Sequence, residues 1–231
     1  MTESVLEEGS RGDTLTERVA AMIETDIVRG KFAPGARLAI ADLVAHYGIG
    51  ATPVREGLSR MVARGLIVAI GQRGFRVSAM SREDLADITR LRSLIECEAL
   101  RRSMRLGDGE WEAGIVAALH RLKRYAEQNS AGLRKDRPDF DALHKAFHRS
   151  LIAACGSPRM LSAHSDLYNQ AFRYRRVMMR SFGEPDEFVR AHQELSDLVL
   201  ARRAKEASAK LGVHLGSTLA LVYPDRAETN V

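Results

Sequence analysis

The chain has 231 residues, of which 45% are hydrophobic and 28% are charged, and its formal net charge at pH 7 is +5. This composition excludes a disordered or collagen-like chain, and no apolar run approaches the roughly 20 residues that a membrane-spanning helix needs. The length favours two domains, and the positive charge allows a polyanionic partner without proving one. No membrane partner is expected.

The N-terminal segment 1–13 is polar and acidic and has no apolar core. It resembles neither a signal peptide nor a transit peptide, so it is predicted to be a flexible tail. The two cysteines, Cys97 and Cys155, lie within helical apolar patterns, and their spacing indicates neither a disulfide framework nor a CxxC metal clip. These features favour a cytoplasmic protein.

The segment 14–79 predicts a small basic domain, with nine Arg and Lys residues against five Asp and Glu residues. Thr14 begins a Thr-x-x-Glu capping box, and apolar residues recur at helical spacing up to residue 28. The Gly/Pro-rich stretch 30–38 then turns the chain. A second, short helix is predicted over 40–46.

A third helix is predicted to begin at Thr52. This residue would be the N-cap, and Pro53 would take the first helical position, where the missing N–H costs nothing. After Gly65, two alternating segments, 66–70 and 75–78, flank a Gly-Gln-Arg-Gly turn and predict a β-hairpin. This order of helices and hairpin is typical of a winged helix-turn-helix.

A helix-turn-helix places its second helix in the major groove of DNA, with the N-terminal residues of that helix at base edges. Thr52 and Arg55 would occupy this end, and an arginine can bond guanine O6 and N7 together. Gln72 and Arg73 at the hairpin tip would lie near phosphate or the minor groove. From the pattern alone, a protein-interaction domain of the same architecture is the alternative.

The stretch 27–77, IVRGKFAPGARLAIADLVAHYGIGATPVREGLSRMVARGLIVAIGQRGFRV, resembles the N-terminal domain of the GntR family of bacterial transcription regulators. The resemblance is carried by Gly30 with Pro34 and Gly35, by the run 52–56, by Gly65 with Leu66, and by Arg73 and Gly74 before Val77. It implies that Thr52 and Arg55 contact operator DNA and that Gly74 and its neighbours form the wing.

Gly50 and Ala51 depart from the family pattern, in which a hydroxyl residue followed by arginine usually precedes the helix. Two expected DNA contacts are therefore missing. Either the operator differs, or affinity depends more on arginines elsewhere in the domain. The predicted DNA-binding residues are Thr52, Arg55, Ser59, Arg60, Arg64, Gln72, Arg73 and Gly74.

The segment 80–222 shows only helical periodicity and predicts an all-helical domain, which we assign to effector binding and dimerisation. Ser81 begins another capping signature, so 78–80 is predicted to be the linker. Residues 223–231 are predicted to be a C-terminal tail. Gly and Pro breaks separate six predicted helices, over 82–105, 110–129, 139–154, 158–182, 186–203 and 205–221. The whole chain is thus predicted to be mainly α, a winged helix-turn-helix domain followed by a helical bundle.

This second domain resembles the C-terminal ligand-binding domain of the FadR subfamily, called FCD. Arg92 with Glu96, the Phe147-His148 pair followed by CGSPRML, His192 and His214 occur in the order and approximate spacing of the family. The helix with LYNQAFRYRR looks like a branch of the subfamily that carries an Arg-Tyr-Arg motif. The likeness of both domains together covers about residues 14–222.

His144 and His148 lie four residues apart on one predicted helix, so their imidazoles point the same way. Spacing alone leaves open whether they are metal ligands or ordinary residues of a helix face. In many FCD domains an aspartate at the position of His144 joins three histidines around a divalent metal. Zn and Ni accept neutral imidazole. The resemblance therefore implies a metal site of His144, His148, His192 and His214, with Asp141, one turn back, as an alternative to His144.

An acidic effector is expected between the metal and cationic side chains. Arg92 matches the family arginine near the pocket, and a guanidinium in a partly dry cavity binds a carboxylate bidentately. This suggests an organic acid, such as a dicarboxylate. Tyr168, Arg173 and Arg175 would add donors, although an arginine run on a helix more often faces solvent. The remaining histidines fit no cluster and are taken as surface or packing residues: His46, His120 and His164.

No catalytic motif accompanies the histidines, because Lys145 stands where a zinc peptidase has its glutamate base. A metal-dependent hydrolase is thus a remote alternative, and we expect no enzyme. Two other regulators stay open, one that responds to the metal itself and one that binds acids through arginine alone. We expect a homodimeric transcriptional regulator that binds double-stranded operator DNA under the control of a small organic acid.

Overall fold

The computed structural model describes residues 14–129, 138–178 and 185–224. The chain divides into two compact units, Met1–Met80 and Ser81–Val231. The predicted tails lie outside the described residues, apart from Tyr223 and Pro224. The described part is mainly helical with one small sheet, which confirms the predicted fold class. None of the described helices has an apolar stretch that could span a lipid bilayer.

The first unit consists of three helices and a three-stranded antiparallel sheet of order β1-β3-β2. The predicted capping box at its start is present, with the Glu17 N–H donating to Thr14 Oγ1. The predicted hairpin is present too, but the strand that pairs with its outer edge was not predicted. Its elements are α1 (Leu15–Val28), β1 (Arg37–Leu38), α2 (Ile40–Tyr47), α3 (Ala51–Ala63), β2 (Ile67–Ala69) and β3 (Phe75–Val77).

The start of α3 differs from the prediction. The helix begins at Ala51, and its N-cap is Gly50, which makes no side-chain capping hydrogen bond. The assignment of Thr52 as N-cap and of Pro53 as the first helical residue is therefore wrong, since they are the second and third helical residues. Proline still fits here, because the first N–H groups of a helix have no partner within the helix.

Gly57 allows α1 and α3 to pack closely. A Cβ atom on Gly57 would lie 3.0 Å from Val19 Cγ1 and 3.3 Å from the Ala20 backbone nitrogen. The apolar faces of both helices contribute to the core of the first unit, which includes Val19, Ile23, Ile27, Val54, Leu58 and Met61. The opposite face of α3 is left exposed.

The second unit contains the six predicted helices. In it α4 packs against α7 and α9, while α5 packs against α6 and α8. Its core includes Leu100, Ile115, Leu122, Phe147, Leu195 and Leu211. The helices are α4 (Arg82–Leu106), α5 (Gly109–Gln128), α6 (Pro138–Leu151), α7 (Pro158–Met178), α8 (Pro185–Leu200) and α9 (Ala204–Val222).

A tyrosine of α7 fixes the first turn of α4. The Tyr174 hydroxyl donates to Asp84 Oδ2 at 2.5 Å and accepts from the Ser81 N–H at 2.9 Å. Ser81 is also the N-cap of α4 and accepts from the Asp84 N–H. Because Tyr174 is fully buried, this contact ties α7 firmly to the residue at which the second unit begins.

Candidate functional site

An exposed face of α3 carries the central residues of the predicted DNA-binding surface. Thr52, Arg55 and Ser59 are exposed, and their spacing of three and four places them on one face. Ser59 Oγ donates to the Arg55 carbonyl at 3.0 Å. Within the part of the chain that the structure describes, Arg55 makes no ion pair. Its guanidinium is therefore available to an external acceptor.

Two other predicted arginines of this region face α1. Arg60 Nη1 lies 3.5 Å from Glu17 Oε1, and both side chains are about half exposed. Arg64 Nη1 lies 2.5 Å from Glu24 Oε2 in a more buried pair. An exposed ion pair is worth at most about 1 kcal/mol, so Arg60 can exchange its partner for a phosphate more readily than Arg64.

The turn between β2 and β3 contains the remaining predicted wing residues. Gly71–Arg73 form a short 3₁₀ turn, and Arg73 is exposed. Gly74 follows with φ of +91°, a conformation that favours glycine because it has no Cβ. The side chain of Gln72 lies outside the described residues.

Strand β1 adds a basic pair that the sequence analysis missed. Arg37 and Arg76 are directly opposite in the β1–β3 register, and both are exposed. Arg76 Nη1 donates to the Gly35 carbonyl at 3.0 Å. Only strand pairing brings the two arginines together, so no local pattern could have revealed them.

In the second unit, α6, α8 and α9 bring the four predicted metal-binding histidines together. The Nε2 atom of His144 lies 3.0 Å from that of His192 and 3.1 Å from that of His148. The Nε2 atom of His214 lies 3.2 Å from that of His148. One ring nitrogen from each residue lies within 4.8 Å of all the others.

Hydrogen bonding alone does not satisfy this cluster. Each Nε2 atom has one in-plane position, which holds either a proton or a lone pair. The Nε2 atoms of His144 and His148 each face two others, so at most two of the three close contacts are hydrogen bonds. Ligands about 2.0–2.1 Å from a tetrahedral zinc ion lie about 3.3 Å apart, close to these separations. The donor set therefore fits a divalent metal ion.

Burial keeps these imidazoles neutral, which is the form that binds a metal. It lowers the pKa values of His144, His148 and His214 well below the usual range, and the neighbouring positive groups add to the effect. It lowers the pKa of His192 to about 4, although the Phe188 carbonyl acts in the opposite direction.

These pKa shifts predict that the metal-free protein loses stability as the pH falls from 7 to 5. Unfolded histidines bind protons below about pH 6.5, whereas the folded cluster does not, so acid favours the unfolded chain. Each histidine contributes up to about 1.4 kcal/mol per pH unit to the loss. Urea unfolding followed by Trp111 fluorescence measures the free energy of unfolding, and a flat profile over this range would contradict the prediction.

Tyr168 and Arg175 of α7 contact the other side of His144. The Tyr168 hydroxyl lies 2.6 Å and Arg175 Nη1 lies 3.2 Å from His144 Nδ1. All three side chains are buried. The two predicted effector-binding residues are thus packed against the histidine cluster.

A buried ion pair holds Arg92 beside the same cluster. Arg92 Nε donates to Glu96 Oε1 at 2.7 Å, and His164 Nδ1 lies 3.2 Å from the same oxygen. Burial raises the pKa of the Glu96 carboxyl, but Arg92 and His164 together hold it below its usual value. His164, which fitted no cluster in the sequence, is therefore a fully buried neighbour of the site, whereas His46 and His120 are exposed.

The arginine run of α7 does not face solvent, so that part of the sequence interpretation is wrong. Arg173 and Arg175 are only 4% and 9% exposed. Burial lowers the pKa of Arg173 below its usual value, although Tyr174 and Asp84 act in the opposite direction. Arg173 does not line the histidine cavity. Asp141 lies 3.5 Å from Arg176 rather than among the histidines, so the fourth position of the cluster belongs to His144.

A cavity of about 70 Å³ opens beside the cluster. Pockets for drug-sized ligands measure roughly 300–1,000 Å³, so this one suits a ligand of few heavy atoms. The part of its lining that comes from α9 was not predicted, although Ser217, Thr218 and Leu221 follow His214 at helical spacing. The lining residues are Arg92, His144, His148, Arg175, Phe188, His214, Leu215, Ser217, Thr218 and Leu221.

Two family models match the chain. The model of bacterial regulatory proteins of the gntR family matches residues 15–77, and the FCD domain matches residues 87–217. The first match covers the three helices and the sheet of the first unit. The second covers the helices that carry the histidine cluster.

Curated relatives and solved structures agree with these matches. The chain is 37% identical over 209 residues to the uncharacterized HTH-type transcriptional regulator BphR of Paraburkholderia xenovorans, covering 90% of this chain and 85% of that one. It is 32% identical over 204 residues to the HTH-type transcriptional repressor GlaR of Escherichia coli, covering 87% and 92%. The structure of E. coli McbR/YncC matches with a TM-score of 0.76 at 20% identity, covering 91% and 98%, which supports the fold.

Families and relatives alike are transcriptional regulators, which confirms the expectation that the chain is not an enzyme. The chain belongs to the GntR family of bacterial transcriptional regulators, and it combines a DNA-binding winged helix-turn-helix domain with an FCD domain.

Proposed function

We propose that the chain is a homodimeric repressor whose operator binding is controlled by a small organic acid held beside a divalent metal. The observation that carries this proposal is the cluster of four imidazoles beside two buried guanidinium groups, those of Arg92 and Arg175. Both arginines line one small cavity together with three of the histidines, His144, His148 and His214. Neutral imidazoles bind metals, and guanidinium groups bind carboxylates.

The metal, zinc or nickel, would be held by His144, His148, His192 and His214. When bound, it supplies a compact double positive charge that attracts a carboxylate. His144 stands where many FCD domains have an aspartate, so this site lacks one negative charge. An acid with two carboxylates therefore suits it better than an acid with one.

Arg92 is the expected partner of one carboxylate. Its Nε atom is engaged by Glu96, which leaves the two terminal nitrogens of the guanidinium for the cavity that Arg92 lines. The small volume of that cavity favours an acid of few heavy atoms over a sugar or a nucleotide.

For operator recognition we propose α3 in the major groove and the β2–β3 turn at the backbone or minor groove. Thr52, Arg55 and Ser59 form the exposed face, and Arg73 is exposed at the turn. A two-fold homodimer would match a palindromic operator. The repressor named among the relatives supports repression as the sign of regulation. The acid can change DNA affinity only by binding one arrangement of the dimer more tightly than the other.

The test uses an operator fragment selected from random-sequence DNA by the wild-type protein. We expect four- to six-carbon dicarboxylic acids to weaken binding of the zinc-loaded protein to this fragment by roughly 5–150-fold, a usual range for coupled sites. Fluorescence anisotropy measures the dissociation constant, and elemental analysis measures the bound metal.

The same titrations on metal-stripped protein separate the alternatives. Equal release by acid without metal would show that the arginines suffice, and release by zinc alone would make the ion the signal. If no acid weakens binding in either form, control by an organic acid is contradicted.

A further inference from the structure

His144 lies between two sets of partners. On its Nδ1 side are the Tyr168 hydroxyl at 2.6 Å and Arg175 Nη1 at 3.2 Å. On its Nε2 side are the Nε2 atoms of His192 at 3.0 Å and His148 at 3.1 Å. The partners on the Nδ1 side determine whether Nε2 carries a proton or a lone pair that can bind a metal.

The contact with Arg175 favours one tautomer of His144 over the other. A guanidinium has only N–H donors, so Arg175 can only donate to Nδ1. A neutral imidazole has one proton, and an Nδ1 atom that accepts leaves this proton on Nε2. In this form His144 has no lone pair for a metal at Nε2.

His192 has the opposite tautomer. Its Nδ1 atom lies 2.6 Å from the Phe188 carbonyl, which can only accept, so the proton of His192 is on Nδ1. Its Nε2 atom therefore presents a lone pair, as expected of a ligand whose other nitrogen is held by a backbone carbonyl. The His144 Nε2–H donates to this lone pair, so Arg175, His144, His192 and Phe188 form one consistent chain of donors and acceptors.

Resting on the function proposed above, we propose that Arg175 and the divalent metal compete for His144, so that ligation by His144 breaks the hydrogen bond from Arg175 and leaves this N–H group for the acid. For His144 to ligate, the proton leaves Nε2 and a proton is bound at Nδ1, so the imidazole keeps one proton in total. Tyr168 fits both forms, because its hydroxyl can donate or accept. Arg175 fits only the first form, because in the second form its N–H groups would face the Nδ1–H group of His144.

The Arg175 guanidinium already lines the cavity, so a carboxylate there can accept from the N–H group that His144 no longer accepts. Metal and acid then favour the same arrangement of Arg175. Their binding is cooperative, and each raises the affinity of the other by the same factor.

The first test reads the proton position directly by ¹⁵N-detected NMR of histidine-labelled protein, with the His144 signals assigned from a His144→Gln spectrum. We expect the Nε2–H form of His144 in zinc-free protein and the Nδ1–H form after zinc is added. An Nδ1–H form in zinc-free protein would overturn the competition, and so would an Nε2–H form that persists in zinc-loaded protein.

The second test is a double-mutant cycle on zinc affinity, measured by competition with a chelator. Arg175→Met should strengthen zinc binding roughly tenfold or more, since a hydrogen bond to a charged group no longer opposes ligation. In a His144→Gln background the same change removes only a positive charge, and its effect should be several-fold smaller. Equal effects in both backgrounds would overturn the competition.

The two proposals fail in different ways. If wild-type protein binds no zinc, the metal site itself is wrong and the competition falls with it. If zinc binds and is lost in His148→Gln, but the cycle shows no coupling between Arg175 and His144, only the competition is wrong.

Discussion

Replacement of Glu96 by alanine is expected to destabilise the second unit by about 3–5 kcal/mol, because it leaves a buried charge without its partner. Glu96 and Arg92 are 1% and 5% exposed, and their side chains are joined at 2.7 Å. The change also removes the carboxylate beside His164. Trp111, the only tryptophan of the chain, is buried in α5, so its fluorescence during urea unfolding reports on this unit.

Glu98→Ala is the matched control. Glu98 lies on the same helix and pairs with Arg101 at 2.9 Å, but both side chains are about half exposed. Loss of such a pair costs at most about 1 kcal/mol. If Glu96→Ala unfolds at the same urea concentration as Glu98→Ala, the ion pair at Arg92 does not hold the site together.

Replacement of Arg55 by alanine is expected to remove most of the preference for operator over unrelated DNA. Arg55 is exposed on α3 and makes no ion pair within the described residues, so its guanidinium can reach a base. A bidentate contact to a base is worth about 1–3 kcal/mol of discrimination. The ratio of dissociation constants for selected operator and scrambled DNA should therefore fall roughly 5–150-fold, as measured by anisotropy at fixed salt concentration.

Arg29→Ala removes the same charge from the same unit and serves as control. The pairs Glu17–Arg60 and Glu24–Arg64 follow one another along both α1 and α3. Arg29 follows the last residue of α1 and therefore lies beyond the C-terminal end of α3. Arg55 lies near the opposite, N-terminal end of α3. An equal fall in the ratio for both variants would mean that Arg55 acts through general charge and not through base recognition.

The helices could be predicted because their signals are local. Apolar periodicity and the capping residues Thr14 and Ser81 gave both the number of helices and most of their ends. Strand β1 could not be found, since two residues carry no periodicity and exist as a strand only through pairing with β3. The start of α3 was misplaced because a helix can begin at a glycine without a side-chain cap.

The candidate site could be predicted only in part from the sequence. The spacing of His144 and His148 placed them on one face. The ion pair between Arg92 and Glu96 was not predicted, although residues four apart on a helix lie close enough to pair. The convergence of α8 and α9 on α6 depends on tertiary packing, which the family resemblance supplied and the residue pattern did not. The same reason explains the error at Arg175, because a helix does not reveal which of its charged residues other helices cover.

Tyr174 and Arg175 are consecutive residues whose side chains contact different parts of the second unit. Tyr174 holds the backbone of Ser81, where the chain arrives from the DNA-binding domain, and Arg175 lines the cavity and donates to His144. In the proposed function, one peptide bond would therefore separate the residue that binds the acid from the residue that holds the start of the second unit. An acid that displaced this turn of α7 would therefore also displace the contact between Tyr174 and Ser81, without a long network of side chains in between.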